Sequence, residues 1–205
     1  MDCWAIIPAK PFSAGKSRLS ALLSADQRAA LNRQLFGRVL DAVLGCLRHD
    51  RIAVVSTDAL LPAMMRGLGV HALDETGDGL NAALSLACRY ATAHGASAIA
   101  VLPSDLPMVS AADVAALLAA PSDAPSCVIA PDDQEEGTNA LILAPPVADF
   151  FRFGPASFQA HLTEAKARGM AVRILRRPGL AHDLDTPDGY QRFANSQLTA
   201  SGERA

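Results

Sequence analysis

The sequence predicts an α/β sandwich built on a largely parallel sheet. Short apolar runs alternate with helical patterns along most of the chain, and polar or glycine-bearing loops repeatedly follow the apolar runs. Composition agrees. Half of the 205 residues are hydrophobic and only 5% aromatic, so Ala, Leu and Val carry the core, as in helices packed on a sheet. This length suits one domain, read as residues 1–195, with the small polar residues 196–205 as a flexible tail.

Residues 4–8 form a short apolar strand stopped by proline, followed by a polar loop at 9–18. Ser24 with Gln27 makes a capping box, and Leu31, Leu35, Val39, Val43 and Leu47 keep one face of a long helix apolar. Residues 51–57 are a β-branched strand of the buried kind, with a short helix at 62–66 and a strand at 70–73 after it. The loop ETGDGLN, 75–81, leads into a helix that runs to residue 93. A continuous apolar strand at 98–102 ends in Pro103-Ser104-Asp105-Leu106-Pro107, and Ser110 with Asp113 caps the next helix. Strands at 127–130 and 138–143 flank a loop of acids; then come a helix at 155–168, a strand at 171–175 and a polar loop at 183–189.

Several functional classes are disfavoured. The formal net charge is -3 and no long basic run occurs, which argues against a nucleic-acid partner. No apolar run is long enough to span a bilayer and the chain opens without a basic leader, so a cytoplasmic protein without membrane contact is expected. Cys3, Cys46, Cys88 and Cys127 lie too far apart in sequence for a zinc ligand set and are read as buried thiols in a reducing compartment.

Chemistry gathers in the loops after the strands, where ligands collect in open sheets. Gly15-Lys16-Ser17 lacks the earlier glycine of an ATPase phosphate loop, because Lys10 stands in its place. What remains is a strand-to-helix loop carrying Lys10, Lys16 and Arg18, suited to a triphosphate or simply solvated. Asp105 follows a buried strand, and Asp183 and Asp185 stand two apart, which in an extended segment puts both on one face, able to share a cation. Oxygen ligands of this type suit magnesium. The acids of 132–136 are read as a solvated loop, while Thr138 and Asn139 open a strand where a hydroxyl and an amide could hold an anion. Gly154 and Ser157 stand at a helix start, either an anion site with free N–H donors or an ordinary cap. Gly77, Gly79 and Asn81 either approach a base or ribose or form a turn capped by Asn81. None of the five histidines is assigned to catalysis.

The stretches PAKPFSAGKSRL at 8–19, GDGLNAAL at 77–84, LPSDLP at 102–107, EGTNAL at 136–141, FGPASFQAH at 153–161 and DLDTPDG at 183–189 together resemble the CofC/FbiD guanylyltransferases of coenzyme F-420 biosynthesis. Gly15 stands where many relatives carry a bulkier residue. The resemblance implies a single-domain, Rossmann-like, GT-A-related nucleotidyltransferase, a three-layer sandwich with a central mixed, mostly parallel sheet. It implies GTP as donor, and 2-phospholactate, phosphoenolpyruvate or 3-phosphoglycerate as acceptor, with hand-over of the product to a downstream transferase. It places Ala9, Lys10, Lys16, Arg18 and Ser104 at the nucleotide, Gly79 and Asn81 near the nucleoside, and Thr138, Gly154 and Ser157 at the acceptor. Asp105, Asp183 and Asp185 would hold Mg2+, and Lys16, Arg18 and Asp105 would carry the chemistry. The alternatives are a related nucleotidyltransferase with a sugar-phosphate or molybdopterin-type acceptor, and a nucleotide-binding protein without catalysis.

Overall fold

A computed structural model of the chain describes residues 2–58, 60–75, 78–122 and 125–202. Gly77 of the GDGLN turn and residues 203–205 of the expected tail lie outside them. Among the described residues seven strands form one sheet: β1 (Cys3–Ala9), β2 (Ile52–Ser56), β3 (His71–Asp74), β4 (Ala98–Val101), β5 (Ser126–Pro131), β6 (Thr138–Ala144) and β7 (Ala171–Ile174). Their spatial order is β3-β2-β1-β4-β6-β5-β7. Every pairing is parallel except those of β6, which runs antiparallel to both β4 and β5.

That single reversal matters for function. The loops after β1, β3, β4 and β5 open at one rim of the sheet, and the reversed strand brings its first residues, Thr138 and Asn139, to the same rim. Strand order also changes direction between β1 and β4, a switch point where crevices form in open sheets.

Six α-helices occur among the described residues: α1 (Ala25–Leu44), α2 (Leu61–Gly67), α3 (Leu80–Ala93), α4 (Ala111–Leu118) and α5 (Ser157–Ala167), which pack on the sheet, and α6 (Pro187–Gly202), which packs on α1. Along β1, Ala5 and Ile7 face one core, with Val39 and Val43 of α1, Met65 of α2 and Leu117 of α4. Trp4 and Ile6 face the other, with Leu84 and Ala87 of α3 and Phe158 of α5. The result is three layers, and truncating a fully buried residue such as Ile6 to Ala should cost about 2–5 kcal/mol. A third, smaller core joins Leu19, Leu31 and Leu35 to Leu184 and Phe193, so the apolar stripe of α1 serves two cores in succession.

Several boundaries differ from the sequence reading, among them the start of α5 at Ser157 rather than residue 155. Gly45 caps α1 through Asp41, leaving Leu47 beyond the helix although still packed on the core. The segment 183–189 is not all loop, since α6 begins at Pro187. Thr186 supplies the cap, accepting the Gly189 N–H on its hydroxyl at 3.2 Å, and proline fits the first helical position because its missing N–H would go unused there. The helix continues as far as Gly202, into the segment set apart as a tail. All four cysteines are free thiols; burial pushes those of Cys3 and Cys127 up to about 12 and that of Cys88 up to about 11. Among the described residues no helix is long and apolar enough to cross a membrane.

Candidate active site

The rim described above encloses a cleft of about 700 Å³. Its lining includes Ala9, Lys10, Lys16, Arg18, Gly79, Ser104, Asp105, Thr138, Gly154, Ser157, Asp183 and Asp185, residues drawn from across the chain.

The loop after β1 forms one wall. Gly15 has φ 91° and Lys16 φ 52°, so the chain reverses and Lys16 points inward. A left-handed non-glycine residue costs roughly 1 kcal/mol, a cost that ion pairing can offset. The Lys16 ammonium lies 3.0 Å from Asp105 Oδ2 and 2.7 Å from Asp185 Oδ1, and its side chain is only 5% exposed. Burial alone would lower its pKa, but the charges of Asp105 and Asp185 outweigh it and the net shift is upward. Asn32 of α1 holds the loop in shape by donating to the Phe12 and Ala14 carbonyls at 2.9 and 3.0 Å.

Three carboxylates form the floor. Asp105 follows β4, and its carbonyl accepts the Leu184 N–H at 3.1 Å, which ties the two acidic segments together. Leu184 is fully buried, while Asp183 and Asp185 on either side of it turn outward. Carboxylate oxygens of Asp105, Asp183 and Asp185 all lie within 4.8 Å of one another. Partial burial, then the charges of Asp105 and Asp185, raise the Asp183 pKa, with Lys16 opposing. Three acids this close need a cation. Lys16 supplies one to two of them, and the all-oxygen donor set fits a hard divalent ion.

The wall beside β4, built from the start of β6 and the start of α5, is held by neutral hydrogen bonds. Thr138 stands where the β5–β6 pairing slips, a bulge of the kind that re-aims side chains at sheet ends. Its hydroxyl lies 2.9 Å from His161 Nδ1, and the Arg152 N–H donates to His161 Nε2 at 3.0 Å. His161 is fully buried, and desolvation, assisted by the Arg152 charge, lowers its pKa to about 4. Ser157 is 2% exposed at the start of α5, and its hydroxyl has no hydrogen-bond partner among the described residues.

Some expectations are corrected here. The start of α5 is not a row of free donors, because the Ser157 and Phe158 N–H groups already bond the Gly154 and Glu136 carbonyls. Asn81 neither caps α3 nor lines the cleft. Gly79 is the cap residue, and the Asn81 amide is spent on Phe153, accepting its N–H at 2.8 Å and donating to its carbonyl at 3.0 Å. Asn139 lines the cleft, with one amide N–H donated to the Leu180 carbonyl at 2.9 Å. Asp132, read as part of a solvated loop, lines the cleft and accepts the Glu136 and Gly137 N–H groups at 2.9 and 2.8 Å. A Cβ at Gly137 would meet the Asp132 carboxylate at 2.7 Å, so any side chain there would have to displace that carboxylate. The pairing of an aspartate with a glycine five residues later, just before a strand, was the available signal. Nothing in the sequence marked Asn32, and His161 entered only as the last residue of the FGPASFQAH stretch, with no role attached.

The family model for guanylyl transferase CofC like proteins matches residues 3–192. A phosphoenolpyruvate guanylyltransferase of Rubrobacter xylanophilus is 45% identical over 197 residues, covering 96% of this chain and 95% of that protein. A 2-phospho-L-lactate guanylyltransferase of Methanothermobacter thermautotrophicus is 36% identical over 190 residues, covering 92% and 82%. A solved nucleotidyl transferase from Methanothermobacter superposes with a TM-score of 0.71 at 16% identity, covering 97% of this chain and 98% of that one, which speaks to the fold alone.

Proposed function

Because this chain belongs to the guanylyl transferase CofC-like family, we propose that it moves GMP from GTP onto a small phosphorylated three-carbon acid and releases pyrophosphate. Phosphoenolpyruvate is the favoured acceptor, since the Rubrobacter relative that bears its name is more similar than the Methanothermobacter one. 2-Phospholactate and 3-phosphoglycerate differ from it only slightly, the scale at which pocket shape decides.

An oxygen of the acceptor's phosphate attacks the α-phosphorus of GTP. A new P–O bond forms while the bond to the bridging β-phosphate oxygen breaks, and pyrophosphate leaves with the electron pair. The nucleophile is already anionic near neutral pH, so no general base is required; no histidine lines the cleft among the described residues. The difficulty is bringing anions together. Lys10, Lys16 and Arg18 are assigned to the triphosphate, where they offset the charge of the leaving group. Ala9, Ser104 and Gly79 are assigned to the rest of the nucleotide, with Asn81 acting through Phe153. Thr138, Gly154 and Ser157 are assigned to the acceptor. Asp105, Asp183 and Asp185 would hold Mg2+, which when bound would add positive charge at the phosphate oxygens. The product is a phosphoanhydride, fit for onward transfer, so hand-over to a downstream transferase belongs to the same reading.

The observation that carries this reading is the Lys16-bridged carboxylate cluster, in one cleft with the loops expected to take both substrates. The test is pyrophosphate release from GTP, CTP and ATP against the three acids and a set of sugar phosphates. GTP with phosphoenolpyruvate should be turned over fastest, and preference for a sugar phosphate would reject the acceptor assignment. Asp105→Asn should lower turnover on the order of a hundredfold. Activity within a few-fold of wild type at saturating magnesium would remove Asp105 from the metal site.

A further inference from the structure

Resting on the acceptor assignment above, we infer that His161 is a positioning residue: held as its Nδ1–H tautomer by the Arg152 backbone, it turns the Thr138 hydroxyl into a hydrogen-bond donor aimed at the acceptor's anionic group.

Proton counting carries the inference. A neutral imidazole has one N–H and one bare nitrogen, and its partners decide which is which. The backbone N–H of Arg152 can only donate, and it points at His161 Nε2 from 3.0 Å. Nε2 must therefore be bare, and the ring proton sits on Nδ1. Nδ1 faces the Thr138 hydroxyl oxygen at 2.9 Å, so the histidine donates and the hydroxyl accepts. The hydroxyl's own hydrogen is thereby left unspent. Thr138 is 94% buried yet lines the cleft, so that hydrogen has the cleft as its outlet. With the opposite tautomer Thr138 would donate inward to Nδ1, and only its lone pairs would face an incoming anion, which would repel it.

The surroundings hold the arrangement in place. Phe150 stacks on the ring at 5.8 Å between centroids and Phe153 meets it edge-on at 4.8 Å, which fixes its plane. Phe153 is in turn clamped by both halves of the Asn81 amide, so the Arg152 N–H is presented from a tethered segment. Protonating Nε2 would set one N–H against another, and the ring stays neutral at working pH, its pKa lowered to about 4 by burial and the Arg152 charge against the opposing charge of Glu164. Asn81, Phe153, Arg152, His161 and Thr138 thus form one relay from α3 to the acceptor wall. No charge is involved, and the ring never touches substrate.

Long-range proton–nitrogen correlation spectra of histidine-labelled wild-type protein test the tautomer directly. A bare Nε2 and a protonated Nδ1 are expected at His161; the reverse overturns the inference whatever the acceptor proves to be. Kinetics test the consequence. His161→Phe keeps the ring packing and removes the donor, and should raise the acceptor KM about tenfold, with kcat and the KM for GTP moved less than about threefold. His161→Asn places an amide N–H close to the Nδ1 position and should restore the acceptor KM to within about threefold of wild type. A general packing role predicts the opposite ranking, since Phe fills the site better than Asn. Thr138→Val should reproduce the His161→Phe defect, and the double variant should be no worse than Thr138→Val alone. If Thr138→Val raises the acceptor KM and His161→Phe does not, the relay is refuted while the acceptor site stands. If Thr138→Val has no effect on it, the acceptor assignment fails and the inference falls with it.

Discussion

On the cleft floor Lys16 sits between Asp105 and Asp185 with Asp183 beside them; behind the neighbouring strand end, His161 sits between Arg152 and Thr138. Both are buried or half-buried polar groups with two partners each, yet the physics differs. The first is held by full charges on side chains that remain partly exposed, 29% for Asp105 and 44% for Asp185, so its partners can be exchanged for a metal ion or a phosphate at modest cost. The second is held by neutral, directional bonds in a fully buried setting, where an unmet donor or acceptor is costly. On the proposed reading the charged end can rearrange around a ligand, and the neutral end meets one already in position.

Breaking the charged end should have the largest effect. Lys16→Met removes the cation nearest the carboxylates and should lower kcat by a hundred- to a thousandfold, or about 3–4 kcal/mol, in a steady-state pyrophosphate assay. The same variant should gain more thermal stability from a divalent cation than wild type does, because three carboxylates are then left without their internal counter-charge. Equal gains would mean that Lys16 and the metal do not share those carboxylates.

The neutral end should show itself in acid. The His161 pKa falls from 6.5 in the unfolded chain to about 4 in the fold, so between those values the unfolded state binds the extra proton. Its contribution is intact above pH 6.5 and lost as pH falls towards 4, up to about 3 kcal/mol in all. Urea unfolding of His161→Phe across that window should give a flatter curve than wild type. Parallel curves would show that the histidine is not buried neutral.

Ser157→Ala sharpens the contrast at a smaller scale. Loss of one unpaired hydroxyl at the start of α5 should raise the acceptor KM by five- to tenfold, about 1 kcal/mol, and leave the KM for GTP unchanged. A larger effect on GTP would move the start of α5 to the nucleotide side. The smallest effect belongs to Asp183→Asn. Burial and neighbouring acids raise the Asp183 pKa, so its ionised form works against the fold. Without metal the variant should melt slightly above wild type at neutral pH, the gap closing as acid protonates Asp183 in wild type. Adding a divalent cation should reverse the order, which calorimetry would detect.

What could be read from residues alone followed from local chemistry. The capping boxes at Ser24 and Ser110, the buried β-branched run before Thr57 and the alternation of apolar runs with helical stripes required only neighbours in sequence. Asp183 and Asp185 facing the same way likewise follow from their spacing about a buried Leu184. The start of α6 was legible too, since Thr186-Pro187 is a cap followed by a first-turn proline, but the neighbouring acids drew the segment towards a loop reading.

The rest depended on distance in the chain. Lys16 and Asp185 are 169 positions apart, and no local pattern reveals that they share an ion pair. Asn81 and Phe153 meet across 72 positions, and Thr138 reaches His161 from the start of β6, which runs against its neighbours and delivers its first residue to the rim where the parallel strands end. The sequence by itself determined which chemical groups exist and which segments become strands, helices and caps, since those preferences act over a few bonds. Only the tertiary structure decided which groups are buried together, and therefore which imidazole nitrogen keeps its proton and which hydroxyl is left to donate, because a hydrogen-bond role is assigned by a partner rather than by the residue that carries it.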